Sequence, residues 1–169
     1  MARMSIEALE LARDTRGFVR RTCPACARSF KLAGGPMEEP AVQAVFAAAL
    51  QHANADEIGD PIRRFCPYCG HGASAEAFLT GAQRRYIEAR ARLAAGLLRD
   101  VILRESSRPG QRPPTFAPLR AGPVPAPVPP PEPDDLRMAR LLCCGEQIKL
   151  KPSWREPYFC PHCRARQGA

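Results

Sequence analysis

The chain has 169 residues, with 25 basic against 17 acidic side chains, a formal net charge of +8, 19 prolines and eight cysteines. That length allows one domain or two small ones. With no run of 18 or more apolar residues it offers no membrane span, and charges sit in Met1–Glu7 where a signal peptide would have its apolar core. The expectation is therefore a cytoplasmic protein, whose CxxC pairs serve as metal ligands rather than disulfides. Lys31, Lys149 and Lys151 are the three lysines, so the basicity is nearly all arginine. Alongside abundant Ala and Pro, this matches the codon bias of a GC-rich genome and weakens the charge as an argument for nucleic-acid binding.

In chain order, Ser5–Arg13 reads as a short helix with Ser5 as its N-cap. Gly17–Thr22 reads as a strand leading into Cys23-Pro24-Ala25-Cys26. Arg28–Leu32 alternates polar and apolar residues and reads as the returning strand, ended by Gly34-Gly35-Pro36. Residues 40–54 carry Val42, Val45, Phe46, Ala49 and Leu50 at helical spacing. A further segment leads into Cys66-Pro67-Tyr68-Cys69, and Gly70 stands where the turn needs a left-handed residue. A long helix over 80–104 follows, capped by Thr80. Its apolar stripe runs through Tyr86, Ile87, Leu93, Ala94, Leu97, Leu98, Val101 and Ile102. The stripe either packs on the 40–54 helix and the first hairpin, or partly meets a partner helix or a second copy of the chain.

Between Ser106 and Asp135 fall eleven prolines, a composition that reads as an extended, disordered spacer. The organisation expected is thus residues 1–105 as one module, 106–135 as a linker and 136–169 as a second, smaller module. The second repeats the first in miniature. Ile148-Lys149-Leu150 follows Cys144 as Phe30-Lys31-Leu32 follows Cys26, and Tyr158–Cys163 parallels Arg64–Cys69.

All eight cysteines lie in four pairs: Cys23/Cys26, Cys66/Cys69, Cys143/Cys144 and Cys160/Cys163. Two facing pairs bring four thiolates to one tetrahedral metal, which predicts two Zn²⁺ sites. A zinc with four thiolates carries −2, so two such sites lower the net charge from +8 to about +4. These motifs resemble the zinc-ribbon family over residues 18–33 with 62–72, and over 139–166. The resemblance implies a small α+β fold of two metal-stapled β-hairpin modules, the first with a helical insertion. It does not reach the long helix or the spacer. The second site departs from the pattern, because Leu141 stands where Cys23 has its equivalent. Adjacent cysteines in a strand point to opposite faces, so Cys143 and Cys144 reach one metal only if the backbone bends there. Three arrangements are open: a four-cysteine site, a three-cysteine site completed by His162 or water, or a fold that has lost its metal. His52 and His71 read as surface residues.

The functional expectation is a non-catalytic adapter or regulatory protein whose two ribbons bind protein or nucleic acid. Phosphate contacts near the first site fall to Arg16, Arg20, Arg21, Arg28, Lys31, Arg63 and Arg64, with Phe18 or Phe30 to stack on bases. Near the second they fall to Lys149, Lys151, Arg155, Arg164 and Arg166 around Trp154 and Tyr158. Two alternatives remain. CPYC resembles the glutaredoxin active site and CPHC that of periplasmic thiol oxidases, which implies dithiol exchange but requires a helix after the first cysteine. The Cys66–Gly70 segment also resembles rubredoxin, which implies an iron electron carrier. No phosphate loop, HExxH or nucleophile–base pair is present, so no enzymatic activity is expected.

Overall fold

The computed structural model describes residues 9–34, 39–50, 62–106 and 127–168. It is a small mixed α+β arrangement of helices and antiparallel strands. The strands are β1 (Phe18–Thr22), β2 (Ser29–Ala33), β3 (Arg63–Phe65), β4 (Gly72–Ser74), β5 (Arg137–Arg140), β6 (Gln147–Leu150), β7 (Tyr158–Phe159) and β8 (Arg166–Gln167). Helix α1 is Glu39–Leu50, and α2 is Gly81–Ser106, entered through a 3₁₀ turn at Ala75–Phe78.

Hairpins β1–β2 and β5–β6 join edge to edge in one sheet of order β1-β2-β6-β5, while β3–β4 and β7–β8 form two small separate hairpins. The proline-rich composition implies two halves at opposite ends of a tether; their strands instead share a sheet. The physical reason is that a lone two-stranded hairpin leaves unpaired edges and too little core; the β2–β6 pairing removes one edge from each hairpin and leaves β1 and β5 at the margins. Its register sets Lys31 opposite Lys149 and Leu32 opposite Ile148. This makes Lys31 and Lys149 equivalent across an approximate two-fold axis, as the repeat of Phe30-Lys31-Leu32 in Ile148-Lys149-Leu150 would require. The smaller hairpins obey the same axis: Phe65 N–H donates to Pro161 O (2.9 Å) and Phe159 N–H to Pro67 O (2.8 Å).

One apolar core spans both halves, with Phe30, Leu32, Tyr68, Phe78, Leu141, Ile148 and Leu150 packed together. Phe30 meets Phe78 and Tyr68 edge-on, at centroid distances of 5.9 and 6.5 Å. Tyr68 ties the halves directly. Its hydroxyl donates to Ser29 O (2.8 Å) and accepts from Lys151 N–H (2.9 Å). Phe18 and Phe30 are therefore core residues, not the exposed rings expected to stack on bases.

A second cluster joins Leu11, Val19, Val42, Leu79, Tyr86 and Ile87, so α1 and the first half of α2 pack on the sheet. Thr80 caps α2 as the sequence indicates, in a reciprocal box. Gln83 N–H donates to Thr80 Oγ1 (3.1 Å) and Thr80 N–H to Gln83 Oε1 (3.0 Å). Beyond Ala91 the stripe emerges from the protein, and Leu97 is 54% exposed. The side chains of Leu98, Val101 and Ile102, residues 107–126 of the spacer, and His52 lie outside the described residues.

The N-terminal segment departs from the expected helix. Residues 5–8 lie outside the described part, and residues 9–14 are not helical. Asp14 is the cause. Its Oδ1 accepts the N–H groups of Arg16 and Phe18, each at 3.0 Å, closing the chain into β1. Such side-chain capture of nearby N–H groups competes with helix formation. Its Oδ2 reaches between the two central lysines, 3.0 Å from Lys31 Nζ and 2.6 Å from Lys149 Nζ.

Residues 132–135, expected to be spacer, complete this charge cluster. Glu132 Oε1 lies 2.9 Å from both Arg20 Nε and Lys31 Nζ. Asp134 pairs with Lys149 at 2.5 Å, and Asp135 pairs with Arg20. Arg20, Lys31 and Lys149 are cross-strand neighbours, so the acidic strap lies along a cationic row of the sheet.

Burial alone would raise the Asp14 carboxyl. The hydrogen bonds from Lys149, Phe18 N–H, Lys31 and Arg16 N–H outweigh it and hold Asp14 well below the ordinary carboxylate range. A carboxyl lowered by folding contributes stability that is complete above about pH 4 and is lost as pH falls toward the folded value. Removing one member of a buried ion cluster strands the others. Asp14→Asn is therefore expected to cost about 3–5 kcal/mol, measured by urea unfolding at pH 7 with Trp154 fluorescence. Adding Lys31→Met and Lys149→Met to the same chain should recover most of the loss. A change below about 0.5 kcal/mol for the single variant, the size of an ordinary surface substitution, would mean that Asp14 does not hold the two lysines in place.

Candidate metal centres

The four cysteine segments share one turn geometry. In each, a first residue donates its N–H to the carbonyl five residues on and accepts the N–H from four residues on. The first turn has Cys23 N–H to Arg28 O (3.0 Å) and Ala27 N–H to Cys23 O (2.9 Å). The second has Cys66 N–H to His71 O (2.8 Å) and Gly70 N–H to Cys66 O (2.9 Å). The third has Leu141 N–H to Glu146 O and Gly145 N–H to Leu141 O, both 2.8 Å. The fourth has Cys160 N–H to Ala165 O (2.8 Å) and Arg164 N–H to Cys160 O (2.9 Å). The fifth residue of every turn is left-handed, with φ of 55° at Ala27, 68° at Gly70, 73° at Gly145 and 65° at Arg164. Two of the four use glycine, which takes this conformation without cost.

These turns gather the thiols into two groups. Cys23, Cys26, Cys66 and Cys69 all lie within 4.8 Å of one another, as do Cys143, Cys144 and Cys160. The close pairs are Cys23–Cys69 at 3.8 Å and Cys26–Cys66 at 3.7 Å, then Cys163–Cys143 at 3.6 Å and Cys144–Cys160 at 3.9 Å. The pairing pattern is the same in both groups, with Cys143 in the place of Cys23. All eight are free thiols, and these separations are far beyond a disulfide bond of about 2.05 Å.

The third turn settles how adjacent cysteines face one site. Leu141 occupies the first position and is fully buried in the core. Residues 142–144 form the turn itself rather than a strand, so strand alternation does not apply and Cys143 bends back toward Cys163. Gln167 fixes the bend by accepting Leu142 N–H at 2.8 Å. His162 Nε2 lies 3.1 Å from Glu146 Oε2, outside both thiol groups. His71 is exposed, with its carbonyl used in the second turn.

Metal fit can be judged from the sulfur spacing. A tetrahedron with metal–sulfur bonds of about 2.3 Å has edges of about 3.8 Å, and the four close pairs fall at 3.6–3.9 Å. Burial pushes the Cys66 thiol strongly up, raises Cys23, and takes Cys160 up to about 12. Cys26, which burial alone would raise, is drawn down by Arg28 N–H and the neighbouring thiols. Such thiols become anions only beside a cation that compensates their desolvation. Backbone N–H groups already point at the buried sulfurs, from Tyr68 to Cys66 Sγ and from His162 to Cys160 Sγ, both at 3.4 Å. Both groups thus fit a metal ion.

The basic residues divide sharply. Lys31, Lys149, Arg21 and Arg64 are buried, and Arg20 is held by Glu132 and Asp135. Lys31 and Lys149, expected on a phosphate-binding face, are instead internal counter-charges. Sequence reasoning also missed Asp14, Glu132, Asp134 and Asp135; the one available signal was that both repeats carry a lysine between apolar neighbours. Compared with protein-family models, curated proteins and solved structures, the chain matches none of them.

The two groups differ in depth, which orders the effect of losing a ligand. Cys66 is fully buried in the shared core and Cys143 is exposed. Cys66→Ser is expected to lower the thermal midpoint far more than Cys143→Ser, the first approaching loss of cooperative folding. Circular dichroism melts compare the two directly, and equal shifts would contradict this ordering.

Proposed function

We propose that this chain is a non-catalytic zinc protein in which two Zn(Cys)₄ ribbons, one per half, staple a pseudo-two-fold body that serves as a binding module. The observation that carries the reading is the sulfur spacing of the two close pairs in each group, near a tetrahedral edge. In this reading Cys23, Cys26, Cys66 and Cys69 hold one ion, and Cys143, Cys144, Cys160 and Cys163 hold the other. The metal supplies neutralisation of thiolates and cross-linking of distant turns. A catalytic zinc would keep one position open beside an acid or base; four mutually close thiols at the first site, and three at the second with Cys163 3.6 Å from Cys143, favour closed coordination. Each CPxC segment runs through a turn into a strand, β2, β4 or β8, rather than opening a helix. That disfavours dithiol exchange, which uses a helix N-terminus to activate its thiol.

The binding face that fits best surrounds Trp154. Arg28 lies over its ring at 5.0 Å, Arg137 and Arg155 donate to its carbonyl at 2.8 and 3.1 Å, and Lys151 is exposed nearby in sequence. Among the described residues none of these four cations is ion-paired with a carboxylate, unlike Arg20, Lys31 and Lys149. Arg164 and Arg166 extend the positive surface, with Arg164 5.9 Å from the Phe65 ring centroid. An anionic partner such as single-stranded nucleic acid suits this combination of aromatic rings and unpaired cations. A protein partner is the second reading, favoured by the exposed end of the α2 stripe at Leu97.

Elemental analysis of protein purified without added metal should give two zincs per chain and no visible colour; iron with a red colour would replace the reading with electron transfer. Single-stranded oligonucleotides should bind with a salt slope of about −0.7 per phosphate contact. Arg28→Ala with Arg155→Ala should flatten that slope by one to two contacts' worth. Absence of oligonucleotide binding at low salt would leave the α2 stripe as the place to seek a partner.

A further inference from the structure

The two thiol groups are equivalent in pairing but not in exposure. In the first group each close pair contains one buried sulfur residue, Cys23 in one and Cys66 in the other. In the second, Cys144 pairs with buried Cys160, but Cys143 and Cys163 are both exposed. Theirs is the one close pair of the four with no buried member. The cause is Leu141. It takes the buried first position of the turn, where Cys66 and Cys160 receive N–H···S bonds, and moves the thiol to the turn's outer tip. There, among the described residues, the Cys143 sulfur has cysteine sulfurs as its partners, while Cys163 is supported by the Ala165 N–H. The neighbouring Leu142 is 83% exposed, so the tip is open to solvent.

We propose that Cys143 is an oxidant-reactive modification site, at which hydrogen peroxide converts Cys143 and Cys163 to a disulfide and releases the second metal while the first is retained. This inference rests on the zinc reading above. Burial makes a cysteine inert toward oxidants and exposure makes it accessible; Cys143 is exposed and, unlike Cys66 and Cys160, takes no backbone N–H among the described residues. Its thiolate attacks one peroxide oxygen and the O–O bond breaks. The departing hydroxide takes a proton, leaving a Cys143 sulfenic acid and one water. The Cys163 thiolate then attacks the sulfenic sulfur, the S–OH bond breaks, and the hydroxide leaves as a second water with a second proton. Two thiolates, one peroxide and two protons give one disulfide and two waters. The sulfurs start 3.6 Å apart and close by about 1.5 Å to reach bonding distance, a movement the exposed tip permits. The zinc keeps two thiolates, too few to hold it against a chelator.

The test begins with the full chain and its metal count. Two zincs per chain establish the starting state; a second group without metal would overturn the zinc reading and this inference with it. Hydrogen peroxide is then added in the presence of a chromogenic zinc chelator, with peptide mapping of the product. The expected result is one zinc released at least about tenfold faster than the other, a Cys143–Cys163 disulfide, and recovery on adding dithiothreitol and zinc. Leu141→Cys with Cys143→Ala restores the spacing of the other three turns and should slow release to the rate of the first centre. Release of both zincs at one rate, or a first disulfide lacking Cys143, would overturn the proposal even with both sites filled. The wild-type rates alone decide this should the double variant not fold.

Discussion

Two lysines facing each other at the centre of a sheet set the terms for the rest of this fold. Lys31 and Lys149 are opposed across β2 and β6 and are almost wholly buried. Like charges directly opposite are unfavourable, and burial makes them worse. Asp14 resolves this from the N-terminal side by placing one carboxylate oxygen between the two ammonium groups. Glu132, Asp134 and Asp135 close it from the linker side. Segments that composition marks as peripheral thereby become integral. The folded state needs the N-terminal turn to supply Asp14 and the end of the proline-rich stretch to supply the strap.

The metal groups and this charge cluster hold different parts of the same body. The thiols close the four turns locally and bring each half's turns together. The lysine–aspartate cluster, the β2–β6 pairing and the Tyr68 hydroxyl hold one half to the other. A buried ionic cluster is a weak source of net stability, since desolvation offsets much of the attraction. Its role in this sheet is positional: only the register that sets Lys31 against Lys149 lets one carboxylate serve both, and a slip by one residue would send the two lysines to opposite faces.

What the sequence revealed follows from which interactions are local. The strands beside each cysteine turn, the Thr80 cap and the left-handed Gly70 depend on neighbours a few residues away, and all were legible; the grouping of Cys23 and Cys26 with Cys66 and Cys69 spans some forty residues and was legible because the CxxC motif itself repeats. The repeat around Lys31 and Lys149 was visible too, but its meaning was not, because pairing of β2 with β6 is a contact between residues more than a hundred positions apart. The described end of the segment read as a helix from Ser5 to Arg13, residues 9–13, is not helical for a related reason: Asp14 spends its side chain on the backbone of Arg16 and Phe18. At Cys143 the obstacle was an assumption of strand geometry; the buried Leu141 shows the segment to be a turn, whose tip carries the thiol.

The approximate two-fold axis has a consequence for how such a molecule can be assembled. A residue sitting on a symmetry axis cannot be present twice, because its copy would occupy the same space. Asp14 reaches to just such a place, between two equivalent lysines, and the chain supplies it once. Two identical subunits related by a true two-fold would have to choose one of two competing aspartates and leave the other displaced. Joining the halves covalently removes that conflict. It also frees each half to differ from its twin, as Leu141 differs from Cys23, without the change appearing on both sides.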